Sequence, residues 1–257
     1  MHFKQAIVRP PSTSFSQGIT SAELGAPNFA LAIEQHQAYC SALEKSGVSL
    51  TVLEPDTHFP DSTFVEDTAV LTRHCAILAR PGASSRQGEV AGIKPVIAQN
   101  FENLHSIHPP GTLDGGDICQ AGRHFFIGIS ERTNADGAQQ LASILVQEGS
   151  SSSFVDLRGY KDLLHLKSGI AYLGDQRLVL TKDFEDITSF DGYEIVYIDR
   201  DESYAANCVR VNDFVLVAAG YPKFITNLSE MGYQTLPLEV SEFQKMDGGL
   251  SCLSLRF

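Results

Sequence analysis

The sequence has no C-x-x-C pair, no H-x-x-x-H pair and no glycine-rich phosphate fingerprint, and no apolar run in it approaches a membrane span. Its five cysteines (Cys40, Cys75, Cys119, Cys208 and Cys252) are odd in number and widely spread. That pattern points to reduced thiols in a cytosol rather than to a disulfide framework. Without His pairs or a Cys/His cluster at ligand spacing, no metal site is expected. Without G-x-G-x-x-G before a helix or G-x-x-x-x-G-K-[ST], nucleotide use is unsupported. Met1-His-Phe-Lys-Gln-Ala-Ile-Val lacks a long apolar h-region, and no stretch reaches the ~20 apolar residues of a membrane span. A soluble cytoplasmic protein with no membrane partner is therefore expected. Positive charge is also scarce: 19 Lys and Arg face 31 Asp and Glu, for a net charge of −12. This balance argues against a nucleic-acid partner and suits a cationic ligand.

What is present suffices for a sizeable core. Of 257 residues, 43% are hydrophobic and 19% charged, ordinary values for a soluble globular protein. The serine run from Ser150 to Ser153 is too short for a domain linker, so a single domain over 1–257 is expected. Phe3 to Val8 and Val48 to Leu53 read as strands. A Pro/Ser-rich loop from Pro10 leads to Gln17-Gly18-Ile19-Thr20, where Ile19 is either a lid residue or an anchor in the core. Helices are expected from Pro27 to Lys45, from Thr133 to Glu148 and from Pro222 to Met231. Pro27 suits a first turn, Thr133 an N-cap, and Gly47, Gly149 and Gly232 the stops.

Five segments share one strand-turn-strand layout. Phe64 to Leu71 turns at Arg73-His74 into Cys75 to Ala79. Leu113 to Cys119 turns at Gly122-Arg-His into Phe125 to Gly128. Leu164 to Leu173 turns at Gly174-Asp-Gln into Leu178 to Leu180, and Ala205 to Val211 turns at Asn212-Asp into Phe214 to Val217. Gly248-Gly-Leu-Ser-Cys252 begins the last copy. Intervals of roughly 40–50 residues are typical of radial or stacked repeats. Asp67, Asp114, His165, Asn207 and Cys252 all fall at or near the start of a first strand. Arranged about an axis, those starts would converge.

A thiol just beyond a Gly pair is either a presented nucleophile or a small buried hydrophobe. Cysteine with a distant histidine, and a carboxylate to orient the imidazole, is the usual equipment of thiol catalysis. The thiolate is the reactive form, so a nearby or substrate-borne positive charge has to favour it. Asp61, Glu66 and Asp67 crowd three carboxylates beside an apolar strand. Arg86 and Arg132 each precede helix-opening sequence, and a guanidinium binds a carboxylate in bidentate fashion. Together these groups fit a small zwitterion that is cationic at one end and anionic at the other.

Phe-Pro-Asp-Ser with Phe-Val-Glu-Asp, Asp-Gly-Gly-Asp, Arg-Thr-Asn, Leu-His-Leu-Lys, Ala-Ala-Asn-Cys and Asp-Gly-Gly-Leu-Ser-Cys occur here in the order seen in dimethylarginine dimethylaminohydrolases. The resemblance covers nearly the whole chain. It implies an α/β pentein fold, a five-bladed pseudo-symmetric propeller of ββαβ units. It also implies hydrolysis of Nω-methylated arginines to citrulline and a methylamine, with no cofactor or metal and with a methylated arginine as the small-molecule partner; a homodimer is compatible with it. By the same resemblance Cys252 is the nucleophile, His165 the general acid and then base, and Asp114 its orienting carboxylate. Relatives with Glu where Asp114 stands leave open whether Asp114 or Asp117 meets the histidine. Asp61, Glu66 and Asp67 are implied to hold the guanidinium and amino ends, and Arg86 and Arg132 the carboxylate. Ile19 is implied to sit on the lid, with the backbone near Met246 and Asp247 completing the pocket. The alternative is an arginine deiminase-like hydrolase acting on free arginine, whose relatives are usually longer.

Overall fold

The computed structural model describes residues 2–160 and 163–257. Its strands form five three-stranded sheets of one design: a central strand pairs antiparallel with one neighbour and parallel with the other. Four sheets are built in chain order. They comprise β3 (Ala69–Leu71), β4 (Cys75–Leu78) and β5 (Asn103–Ser106), then β6 (Ile118–Ala121), β7 (His124–Ile129) and β8 (Ser151–Asp156). Next come β9 (Ile170–Gly174), β10 (Arg177–Thr181) and β11 (Glu194–Ile198), then β12 (Val209–Val211), β13 (Phe214–Ala218) and β14 (Gln234–Leu238). The remaining sheet joins both ends of the chain: β15 (Leu255–Arg256) lies antiparallel to β1 (Gln5–Val8), which pairs parallel with β2 (Ser49–Val52).

Each antiparallel pair except β15–β1 is a hairpin, and a parallel third strand needs a longer crossover. In four units that crossover is a helix: α1 (Phe29–Lys45), α2 (Glu89–Asn100), α3 (Ala135–Gln147) and α4 (Pro222–Glu230). A short fifth helix, α5 (Ser241–Gln244), follows β14. The crossover from β10 to β11 departs from the ββαβ expectation, having only the 3-10 turns Lys182–Phe184 and Thr188–Phe190. Here aromatic side chains occupy the place of a helix. Phe184 and Phe190 pack with Phe126 beneath the sheets, ring centroids 5.0–5.9 Å apart, and burying each ring contributes roughly 1.5–3 kcal/mol.

The core is correspondingly divided into five wedges, each joining two successive sheets. One links β4 to β7 through α3, and another links β13 back to β1 through α1. The wedges close a ring, which is the five-bladed α/β propeller. Two helix starts differ from the sequence expectation. Asn28, not Pro27, opens α1 by accepting from the Leu31 amide at 3.2 Å. Asn134, not Thr133, caps α3 by accepting from the Gly137 amide at 2.8 Å. Thr133 is fully buried and accepts instead from the Asp114 amide, so the hydroxyl serves the centre of the ring. Among the described residues no helix is long and apolar enough to cross a membrane.

Candidate active site

Every first strand is preceded by a 3-10 turn: Val65–Thr68, Gly115–Asp117, Leu166–Ser168, Arg200–Ala206 and Leu250–Leu253. These turns meet around the axis and are bonded to one another in order. The Gly116 amide donates to Asp67 Oδ1 at 2.8 Å, and the Leu166 amide to Asp117 Oδ1 at 3.0 Å. Asn207 bridges the Lys167 carbonyl and the Ser251 amide, and Arg256 donates to Glu66 Oε1 at 2.9 Å, closing the circle. The reason lies partly in the glycines. A Cβ on Gly116 would stand 2.8 Å from the His165 ring and 2.9 Å from Asp67 Oδ1, so only a bare backbone lets imidazole and carboxylate approach together.

His165 is 8% exposed and Cys252 9%. The imidazole Nε2 donates to Asp114 Oδ2 at 3.1 Å, while Asp114 Oδ1 accepts from the Gly82 amide at 2.8 Å. Asp117 does not reach the ring; its oxygens accept from Leu166 and from Ser130 Oγ at 2.7 Å. Burial disfavours the charged imidazole. The charge of Asp67, the hydrogen bond to Asp114 and the charges of Asp117 and Asp114 outweigh that, raising His165 to about 9. The Cys252 thiol moves far up as well, first through burial and then through the negative charges of Glu66 and Asp67. At neutral pH the site therefore rests as thiol and imidazolium, with Asp67 acting on both.

The remaining acids and cations occupy distinct surroundings. Asp67 Oδ2 accepts from Arg86 Nη1 at 2.6 Å. Burial pushes its carboxyl up, but Arg86 and then His165 pull it below the usual range. Arg86 and Arg132, paired on one carboxylate in the sequence reading, are not alike. Arg86 is 6% exposed and fully engaged with protein: besides Asp67 it donates to both Glu89 oxygens, at 3.0 and 2.9 Å, and to the Asp61 and Phe64 carbonyls. Glu89 is a partner the sequence did not disclose. Arg86→Met should destabilise the fold by roughly 3–5 kcal/mol, since it strands Asp67 and Glu89 in the interior; an unchanged urea midpoint would contradict this. Arg132 is half-exposed and forms no ion pair among the described residues, yet its charge reaches Asp61.

Glu66 Oε1 holds Lys167 Nζ at 2.6 Å and Arg256, while the buried Oε2 has no partner among the described residues. Charges of this ion cluster act on the thiol, and the cluster lines an axial cavity of about 510 Å³ between the first strands, to which neither Cys252 nor His165 contributes. Asp61 accepts from the Ile19 amide at 3.1 and 3.2 Å, and burial raises its carboxyl. Ile19 itself is 41% exposed. The segment around it is latched: Thr20 Oγ1 donates to the Lys245 carbonyl at 2.9 Å, and the Ser21 amide to Asp247 Oδ2 at 2.5 Å. Met246 is buried beneath Gly18 and belongs to the core around α1.

Spacing along the chain shows no metal pattern, but the fold brings ligand atoms of Asp67, Asp114 and His165 within 4.8 Å of one another, and likewise those of Cys75, His105 and Glu148. In the first group the oxygens already accept from Arg86, Gly116, Gly82 and His165, so an ion would have to displace protein donors. Lys167, Glu89 and Asn207 are the centre's members that the sequence reading assigned no role. Asn207 and Lys167 stood within motifs, and Asn207 at a repeat-equivalent strand start, but their partners are 40 or more positions away, and the partner of Glu89 is buried.

Comparison with known proteins agrees with this architecture. The arginine deiminase family model matches residues 53–190. The N(G),N(G)-dimethylarginine dimethylaminohydrolase of Pseudomonas aeruginosa is 45% identical over 99% of this chain and 100% of its own. That of Streptomyces coelicolor is 34% identical over 100% and 98%. A solved structure of the Pseudomonas aeruginosa enzyme, a cysteine-to-serine variant complexed with citrulline, superposes with a TM-score of 0.97 at 44% identity, covering 100% of both chains. With every blade matched from end to end at this level of identity, the chain belongs to the dimethylarginine dimethylaminohydrolase family.

Proposed function

We propose that this protein hydrolyses Nω-methylated arginines, asymmetric dimethylarginine and monomethylarginine, to citrulline and dimethylamine or methylamine through a covalent Cys252 intermediate. The observation that carries the reading is a buried thiol and a buried imidazole on turns around one axis, both acted on by the charge of Asp67. The substrate guanidinium is a resonance-stabilised cation. Brought against Glu66 and Asp67, it offsets the negative charge that keeps Cys252 protonated, so the substrate itself favours the thiolate. The unpartnered Oε2 of Glu66 supports its role as an acceptor for that cation.

The thiolate attacks the central guanidinium carbon. His165 donates its proton to the departing dimethylamine nitrogen, since that nitrogen cannot leave as an anion. Because Nε2 is committed to Asp114, the other ring nitrogen makes this transfer. An S-alkylthiouronium remains on Cys252. The neutral imidazole then takes a proton from water, water attacks the same carbon, and citrulline departs as the C–S bond breaks. Asp114 is the orienting group, held in place by Gly82 and Thr133.

At the amino-acid end, Arg132 contacts the substrate carboxylate. Arg86 adds positive charge from beneath while its donors hold Asp67 and Glu89. Asp61 takes the amino group once the Ile19 amide gives way, and the segment around Ile19, with Met246 and Asp247 behind it, forms the lid. Arg132→Ala should raise KM roughly 30- to 150-fold, the loss of about 2–3 kcal/mol of charged hydrogen bonding, with little change in kcat. A KM within twofold of the parent would remove Arg132 from this role. All five cysteines are unpaired, which supports a reducing, cytoplasmic location. The net charge of −12 supports a small cationic ligand rather than nucleic acid.

The decisive experiment incubates the protein with arginine, monomethylarginine and asymmetric dimethylarginine and quantifies citrulline together with ammonia, methylamine and dimethylamine. Amines and citrulline in equal amounts from the methylated substrates are expected. Ammonia from free arginine as the main product would make it a deiminase.

A further inference from the structure

Four of the five turns around the axis supply a side chain to the chemistry, from within the turn or from the residue directly before it. The turn Arg200–Ala206, which opens the β12–β13 unit, supplies none, and Asn207 follows it directly. Its carboxamide lies between the two reactive turns. Nδ2 donates to the carbonyl of Lys167, two residues from His165, at 3.1 Å. Oδ1 accepts from the amide of Ser251, next to Cys252, at 2.8 Å. Tyr204, in the same turn, donates its hydroxyl to the Gly248 carbonyl at 2.8 Å, bracing the approach to Cys252. Gly249 lies flat against the carboxamide, and a Cβ there would meet Asn207 at 2.6–2.9 Å.

From this geometry we infer that Asn207 is a positioning residue, tying the turn of His165 to the turn of Cys252 and holding the nucleophile and the acid at a working separation. The inference rests on the reading of Cys252 and His165 as the reacting pair. The site needs a donor and an acceptor on one short planar group, since a carbonyl faces it on one side and an amide on the other. Aspartate accepts on both oxygens, so it would repel the Lys167 carbonyl and add negative charge beside the thiol. Alanine leaves both backbone groups without their partner. Misplacing reacting groups by about 1 Å costs on the order of a hundredfold in rate.

The test compares Asn207→Ala, Asn207→Asp and Gly249→Ala with the parent in kcat and KM for asymmetric dimethylarginine, in thermal midpoint, and in the pH dependence of Cys252 alkylation by iodoacetamide. Both Asn207 variants should lose about ten- to a hundredfold in kcat, with KM within about threefold, because Arg132 and Asp61 lie outside the clamp. Asn207→Asp should also move the alkylation midpoint to higher pH, a change that a merely structural role does not produce. Gly249→Ala should reproduce the kcat loss by crowding the carboxamide, and should cost little more when added to Asn207→Ala, which empties that space. A folded Asn207→Ala protein with kcat within twofold of the parent would overturn the inference, as would a kcat loss that merely follows the unfolded fraction. If the parent itself releases no citrulline from methylated arginines, the assigned reaction fails instead. The alkylation profiles then still decide the clamp, and an unaltered profile in Asn207→Asp overturns it.

Discussion

Cys252→Ser should bind asymmetric dimethylarginine with near-parental affinity and lose at least about 10⁴-fold in turnover, as removal of a covalent nucleophile does elsewhere. Binding survives because the groups proposed to hold the two ends of the substrate (Asp61, Glu66 and Asp67, with Arg86 and Arg132) are untouched. Turnover fails for an electrostatic reason. Burial and the charges of Glu66 and Asp67 oppose an anion at position 252 even for a thiol. A bound guanidinium can tip a thiol to thiolate. It cannot ionise a hydroxyl, whose ordinary pKa lies several units higher. Calorimetry with the intact substrate, together with citrulline release, measures both halves. Release within tenfold of the parent would remove Cys252 from the reaction.

His165→Ala should lose about 10²–10⁴-fold on dimethylarginine, the usual worth of a positioned acid-base group. The loss should shrink for an analogue in which a thiol replaces the departing amine, because a thiolate leaves without prior protonation. The pH profile supplies a second signature. His165 is raised to about 9, so its acid form prevails at neutral pH and is lost above that value. In the parent, kcat/KM should therefore decline as pH rises through about 9, and the variant should lack this decline. The same shift has a stability consequence. The folded pKa lies above the ordinary 6.5, so the stabilisation by its acidic neighbours is fully present below pH 6.5 and fades as pH rises through about 9. Equal losses for both leaving groups would contradict His165 as the acid.

The repeats and most boundaries were legible in the chain itself. The hairpin at Asn212-Asp213 follows from a residue that tolerates positive φ, observed at 54°. Gly47, at φ 83°, ends α1 as its position suggested. Two helix starts were misplaced: Pro27, read as a first-turn residue, lies before the cap Asn28, and Thr133, read as the cap, lies one residue before the better-placed acceptor Asn134. The missing helix between β10 and β11 was not legible either: Phe184 and Phe190 are helix-compatible by themselves, and only the neighbouring sheet, through Phe126, makes them wedge residues instead.

Periodicity, turn residues and motif order thus determined the blades and named the thiol, the imidazole and the acids, because those signals act over a few neighbouring residues. Which partner each group meets was decided only by closure of the ring. Asp114 reaches His165 across 51 positions, and Arg256 reaches Glu66 across 190. Arg86 turned inward to Glu89 while Arg132 stayed half-exposed. Charges taken out of water are tolerated only with a partner, and which partner is nearest depends on the blade that stands alongside.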